Sequence, residues 1–280
     1  MSLKDKNHLA REYVRAIEAA TGLKSSRPSE EIAALFESGK QDELDELDLS
    51  QYSLWLARSG EFARAEQIAS AIPDALIQKQ TLAEIARRMI EQGALERAEY
   101  LIGLISDSAP NAQWALPNAL RVHLAEAHSK QGNTQLATSI LTEVEQLIRD
   151  ERLTDYEQAD DLLVLANGWM TVGDRNHAKQ LYIEAFACSE RSCEITRAAG
   201  GSGFDEGRLS AAIIRRLIQI GELGEANRLA SAIGNEHWRA EARRFVEGFG
   251  FRLERCRSGY LALLTVSIFT AYRLRRTSRK

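Results

Sequence analysis

The sequence predicts an all-α fold, an α-α superhelix of about five helical pairs with extra N-terminal helices and a C-terminal helix. Three observations predict it. First, an apolar residue is followed by Gly eight positions on, Ala five later, and Ile or Leu three after that, and this phrase occurs five times. Its glycines are Gly60, Gly93, Gly132, Gly173 and Gly221, its alanines Ala65, Ala98, Ala137, Ala178 and Ala226, its closing aliphatics Ile68, Leu101, Ile140, Leu181 and Leu229. Second, the chain is 44% hydrophobic, enough to pack a core and too much for wholesale disorder. Third, 280 residues contain only four prolines, so little interrupts the helix formers that dominate.

Residues 1–49 lack the phrase. Leu9, Tyr13, Ala16, Ile17 and Ala20 share one helical face, as a capping helix would. Ser25 to Ser29 reads as a turn, and Ile32 to Phe36 as a short helix. Asp42, Glu43, Asp45, Glu46 and Asp48 form an acidic linker, read as a solvated helix end or a docking strip for a basic partner.

Residues 50–248 form the repeat array. Tyr52, Ile85, Leu124, Leu165 and Ile213 stand eight before each Gly, and the next position is mostly small, which lets a neighbouring helix approach. Each Gly suits the left-handed position after a first helix. Apolar residues eight and twelve after Gly extend the buried stripe of a second helix. Successive glycines lie 33, 39, 41 and 48 residues apart, so the added residues loop out between units or lengthen helices. Thr154 and Glu157 are spaced as a capping box. Ala199-Gly200-Gly201-Ser202-Gly203 reads as the most flexible internal stretch, and Trp238 to Phe245 as a closing helix.

The run from Leu124 to Asn133 followed by Ala137, and that from Leu165 to Asp174 followed by Ala178, resemble the tetratricopeptide (TPR) repeat family. The resemblance covers roughly 50–245, with degenerate units that lack the family's terminal Pro and most of its second-helix aromatics; HEAT-like helical pairs are the alternative. It implies a concave groove lined by the first helices, and hence a protein or peptide ligand. Carried onto this chain, the groove would include Leu54, Arg87, Glu126, Asn167 and Arg215, six before each Gly. Its neighbours would include Ala83, Lys130, Leu163, Met170, Ala211 and Ile218, giving a mixed surface, cationic at Arg87 and Arg215. A carboxylate clamp of the kind some relatives carry is not assembled by Lys130 and Asn167, which lack the rest of the set.

Chemistry reads as absent. The chain has no GxGxxG, P-loop or HExxH, and its five His are scattered, with His128 at a core-facing position. The expectation is a non-catalytic scaffold or adaptor without cofactor or metal. The alternatives are an RNA-binding repeat protein and the scaffold subunit of an enzyme complex. Arg87-Arg88, Arg215-Arg216 and Arg243-Arg244 are basic pairs, but residues 1–248 carry a net −11, the wrong sign for nucleic acid. Three cysteines, an odd and low number, suit a reducing, cytoplasmic setting.

Residues 249–280 form a basic, apolar tail of net +7. Residues 258–272 carry no charge, with Arg on both sides. Tyr260, Leu261, Leu263, Leu264, Ile268, Phe269 and Tyr272 would make its membrane contacts. As a helix this stretch spans about 22 Å, short of a hydrocarbon core of about 30 Å. Three readings stand open: a short anchor or interfacial helix, a last helix covering the end of the array, and an unnatural end such as a frameshift.

Overall fold

The computed structural model describes residues 29–39, 43–107, 116–150 and 153–248, and among them every regular element is a helix. The predicted helix around Leu9–Ala20, and the tail, lie outside the described residues. In chain order the helices are α1 (Ser29–Glu37), α2 (Glu46–Arg58), α3 (Phe62–Ser70), α4 (Ala75–Gln92), α5 (Leu95–Asp107), α6 (Leu116–Lys130), α7 (Thr134–Asp150), α8 (Asp155–Val172), α9 (Arg175–Ala198), α10 (Phe204–Gln219) and α11 (Leu223–Ala232). A last helix, α12, covers 236–248.

The repeated phrase becomes a repeated hairpin. All five glycines take φ between +81° and +94°. The residue after each donates its N–H to the carbonyl four before the Gly: Leu56, Met89, His128, Trp169 and Leu217, at 2.9 to 3.1 Å. This is the Schellman closure, and it needs a residue without Cβ strain at the left-handed position. The five alanines are completely buried, as are Tyr52, Ile85, Leu165 and Ile213, with Leu124 nearly so. A methyl at each crossing lets two helices approach where a larger side chain would hold them apart. In the third unit Leu141 is buried in place of the predicted Ile140, which is half-buried.

The widening repeat comes mostly from the second helices. The second helices α3, α5, α7 and α9 have 9, 13, 17 and 24 residues. They lengthen in step with the spacings of 33, 39, 41 and 48. Helix extension accounts for the spacings of 41 and 48, whereas in the spacing of 39 the stretch between α5 and α6, residues 108–115, is also longer than its counterpart 71–74.

Helix starts are equally explicit. Asp45 accepts hydrogen bonds from the N–H groups of Leu47 and Asp48, and Asp48 accepts from that of Asp45. Asp48 is buried, while Asp45 and Glu43 are exposed, so the acidic run supplies the cap of α2. Thr154 and Glu157 form the predicted capping box on α8.

The chain divides into two compact units, one ending at Ala137 and the other starting at Thr138. In the first, α1 packs on α2, and α2, α4 and α6 pack side by side. The second helices α3 and α5 each pack on their own hairpin partner, and they reach each other through the Arg97–Glu66 ion pair at 2.6 Å. In the second unit α9 lies between α8 and α10, α8 also touches α10, and α11 packs on α10. His177 and Arg149 tie α9 to α7: His177 Nε2 lies 2.7 Å from Glu145, and Arg149 bridges Glu145 and Glu184. Burial pushes the Glu145 carboxyl up, but hydrogen bonds from Arg149 and His177 outweigh it and hold the pKa below its ordinary value.

The glycine-rich stretch before α10 is not a loose linker. The Gly201 N–H donates to Thr196 O at 2.8 Å. A Cβ on Gly201 would stand 2.6 Å from Thr196 Cγ2, and one on Gly203 2.6 Å from Cys193 Sγ. Small residues stand there because the chain folds back tightly on the end of α9.

Candidate functional site

The first helices of each unit present an accessible row at three- and four-residue spacing. In the first unit the row on α2 carries Leu54, half-buried, and Trp55, 37% exposed and stacked on Tyr52 at 5.9 Å. On α4 it carries Glu84, Arg87, Arg88 and Glu91. Arg87 is gripped by Glu84 and Glu91. Arg88 meets the same two carboxylates at 3.1 and 3.0 Å. On α6 it carries His123, Glu126 and Lys130, the last two 3.9 Å apart. His123 is solvent-accessible, yet desolvation by surrounding protein lowers its pKa, with Glu126 opposing. It also feels Arg87 and Glu91, so the rows of α4 and α6 lie side by side.

The second unit has its own row. Tyr156 and Asp160 on α8 stand near Arg208 on α10, and Arg208 lies 3.8 Å from Asp205. Desolvation raises the Asp160 pKa, offset by Arg208, although the side chain is open to solvent. Tyr156 is raised by desolvation and then by Asp160. Asn167 accepts a hydrogen bond from the Tyr182 hydroxyl at 2.8 Å, and Met170 is half-buried beside it.

Several predicted groove positions change character. Arg87 and Arg215 are not free cations. Arg215 is paired with Glu241, and its guanidinium lies 4.2 Å over the Phe245 ring. Ala83, Ala211 and Ile218 are buried between helices, because first helices this close cover the flank of the predicted lining. Leu54, Arg87, Glu126 and Lys130 belong to the first unit, and Asn167, Met170 and Arg215 to the second.

Sequence reasoning missed Trp55, His123, Tyr156, Asp160, Phe204 and Arg208. The signal was available in the same register: Glu84 and His123 lie nine before their Gly, Asp160 and Arg208 thirteen, Tyr156 and Phe204 seventeen.

Cys188 and Cys193 are buried free thiols, and desolvation raises both. His128 is a packed core residue whose two ring nitrogens find no partner among the described residues. Among those residues no helix is long and apolar enough to cross a membrane, and no group of three His, Cys, Asp or Glu could hold a metal ion. Tyr260, Leu261, Leu263, Leu264, Ile268, Phe269 and Tyr272 lie outside them.

No family model matches the chain, and no curated protein matches it. A solved structure, that of Ton1535 from Thermococcus onnurineus NA1, is similar at 16% identity over 78% of this chain and 88% of that one, with a TM-score of 0.31. A likeness at that level bears on neither the fold nor the function.

Proposed function

We propose that the chain is a TPR-like helical-repeat protein that holds a partner protein or peptide against the accessible rows of its first helices. The observation that carries this reading is the side-by-side packing of α2, α4 and α6, which brings accessible side chains at helical spacing into adjoining rows. Helices already packed in place spare the ligand most of the ordering entropy that opposes binding.

The cations support a peptide better than a nucleic acid. Arg87 and Arg88 share Glu84 and Glu91, and Arg215 is engaged by Glu241 and Phe245. A phosphate backbone would have to displace these carboxylates before gaining the same charges. The row on α4 is a neutral lattice, flanked on α2 by the apolar Leu54 and Trp55.

The test is selection of a random peptide display library on the full chain, with a labelled single-stranded RNA oligomer titrated at physiological salt in parallel. Selected peptides should lose at least fivefold in affinity to Trp55→Ala or Asn167→Ala. The reading falls if no peptide is selected while the oligomer binds and Arg87→Ala weakens it.

A further inference from the structure

A pocket of about 300 Å³ opens where α8, α9 and α10 meet, lined by Tyr156, Thr196, Ser202, Gly203, Phe204, Asp205 and Glu206. It lies at the opposite end of the first helices from Asn167 and Arg215. Two of its walls are aromatic: Phe204 is 48% exposed, with its ring against His237 and Trp238, and Tyr156 is half-buried. Two are carboxylates. Asp205 is exposed and has Arg208 at 3.8 Å. Glu206 is only 9% exposed.

Glu206 is the unusual member. Its carboxylate accepts from the Thr196 hydroxyl at 2.6 Å and from the Ser192 hydroxyl at 3.5 Å, and no cation pairs with it among the described residues. Behind it, Ser189 donates to the Glu206 carbonyl at 2.8 Å, and Ser210 donates its one hydroxyl proton to Glu190 at 2.6 Å, with its oxygen 3.1 Å from that of Ser189. Buried charges are ordinarily matched by an opposite charge. The first turn of α10 offers about half a positive charge to these groups, less than the two carboxylates it carries. What is left is a negative site, held in place by hydroxyls, with an aromatic face on either side.

We infer that this pocket receives a cationic side chain, an arginine from a basic segment of a partner protein. The guanidinium would lie against Phe204 or Tyr156, as planar cations do on aromatic faces, with its N–H groups toward Glu206. Arg208 does not fill this role: it is engaged with Asp205, Tyr156 and Asp160 at the rim. The inference does not depend on the groove reading, since the pocket would take an arginine whatever binds along the rows.

The experiment is a fluorescence anisotropy titration of the full chain with labelled tetra-arginine and, separately, with tetra-citrulline, its neutral isostere. Tetra-arginine should bind and tetra-citrulline should not. Glu206→Gln, which still accepts from Thr196, should weaken binding at least tenfold, and Phe204→Ala, at an exposed position, several-fold. Glu99→Gln removes an equal charge from an exposed site on α5 and should change it less than twofold. Equal effects of Glu206→Gln and Glu99→Gln would reduce the binding to diffuse attraction and overturn the assignment, as would equal binding of the two peptides or none of either. Replacing the Lys and Arg of 249–280 by Gln separates the two sources of the cation. Unchanged affinity supports a partner's arginine, whereas a severalfold gain names the chain's own basic segment as occupant and overturns the partner.

Discussion

The hairpins α2–α3 and α8–α9 follow one rule of turn and crossing, but their second helices have 9 and 24 residues. The short α3 ends at Ser70, and the chain turns at Pro73 into α4. Beside that turn lies an open recess lined by Leu44, Leu47, Leu49, Ala71, Pro73 and Ile77, with Asp45 and Glu46 at its edge. The long α9 runs on to Ala198, and its last turns lie against the start of α10. Ser189, Ser192, Cys193 and Thr196, which build the wall behind Glu206, all stand in that overrun. The length of a second helix thus decides whether the next first helix begins in an apolar recess or against polar side chains. Arg87 and Arg215, each six before its Gly, differ too. In the first unit Arg87 and Arg88 are neutralised within their own helix; in the second, Arg215 is neutralised by the following helix, α12.

The largest test of this division is Trp238→Ala. Trp238 is buried against α10, where a Cβ on Gly207 would come within 2.7 Å of its ring. Removing it should cost the second unit about 3–5 kcal/mol. Hydrogen exchange with mass spectrometry should show protection lost in 204–248 and retained in 46–107. Loss in both would mean that the units unfold together.

A smaller effect follows from Glu145, whose pKa is depressed. A carboxylate with a lower pKa folded than unfolded stabilises above the unfolded value, near 4.5, and that contribution disappears as pH falls through the folded value. Glu145→Gln should therefore lower the urea midpoint at pH 7 and lose that deficit as pH falls through the depressed folded value. A deficit that persists at low pH would trace to packing and not to ionisation.

The smallest contrast is between two arginines six positions before their glycines. Arg215→Ala should cost about 1 kcal/mol or less, since its ion pair is partly exposed, and should speed exchange in α12. Arg87→Ala should cost under about 0.5 kcal/mol, since its ion pairs with Glu84 and Glu91 are surface pairs along one helix. If Arg87→Ala disturbs α6, the lattice on α4 braces the unit as well as neutralising it.

What the sequence told of the fold was whatever is repeated and local. Each glycine, alanine and cap acts within a few residues of itself, so the five turns, the buried methyls and the Thr154–Glu157 box could be read directly. Pairing of Arg87 and Arg88 was also readable, since Glu84 and Glu91 stand at helical spacing. What crosses between helices was not. Asn167 depends on Tyr182 of the next helix, Arg215 on Glu241 and Phe245, and Glu206 on hydroxyls 10 and 14 residues back along α9. The lining of a face depends on how closely neighbours cross, which moved Ala83, Ala211 and Ile218 inside. The glycine-rich segment misled for a related reason: its glycines serve contact with α9 instead of freedom.

Growth of the trailing rod, greatest in α9, has a practical corollary. One heptad spliced into α9 beyond Leu181 would lengthen the rod by about 10 Å and nearly restore its facing. It would raise the ledge behind the following start. Specificity could then be adjusted at one ledge at a time, like cutting a single ward of a key, while the shaft stays as it was.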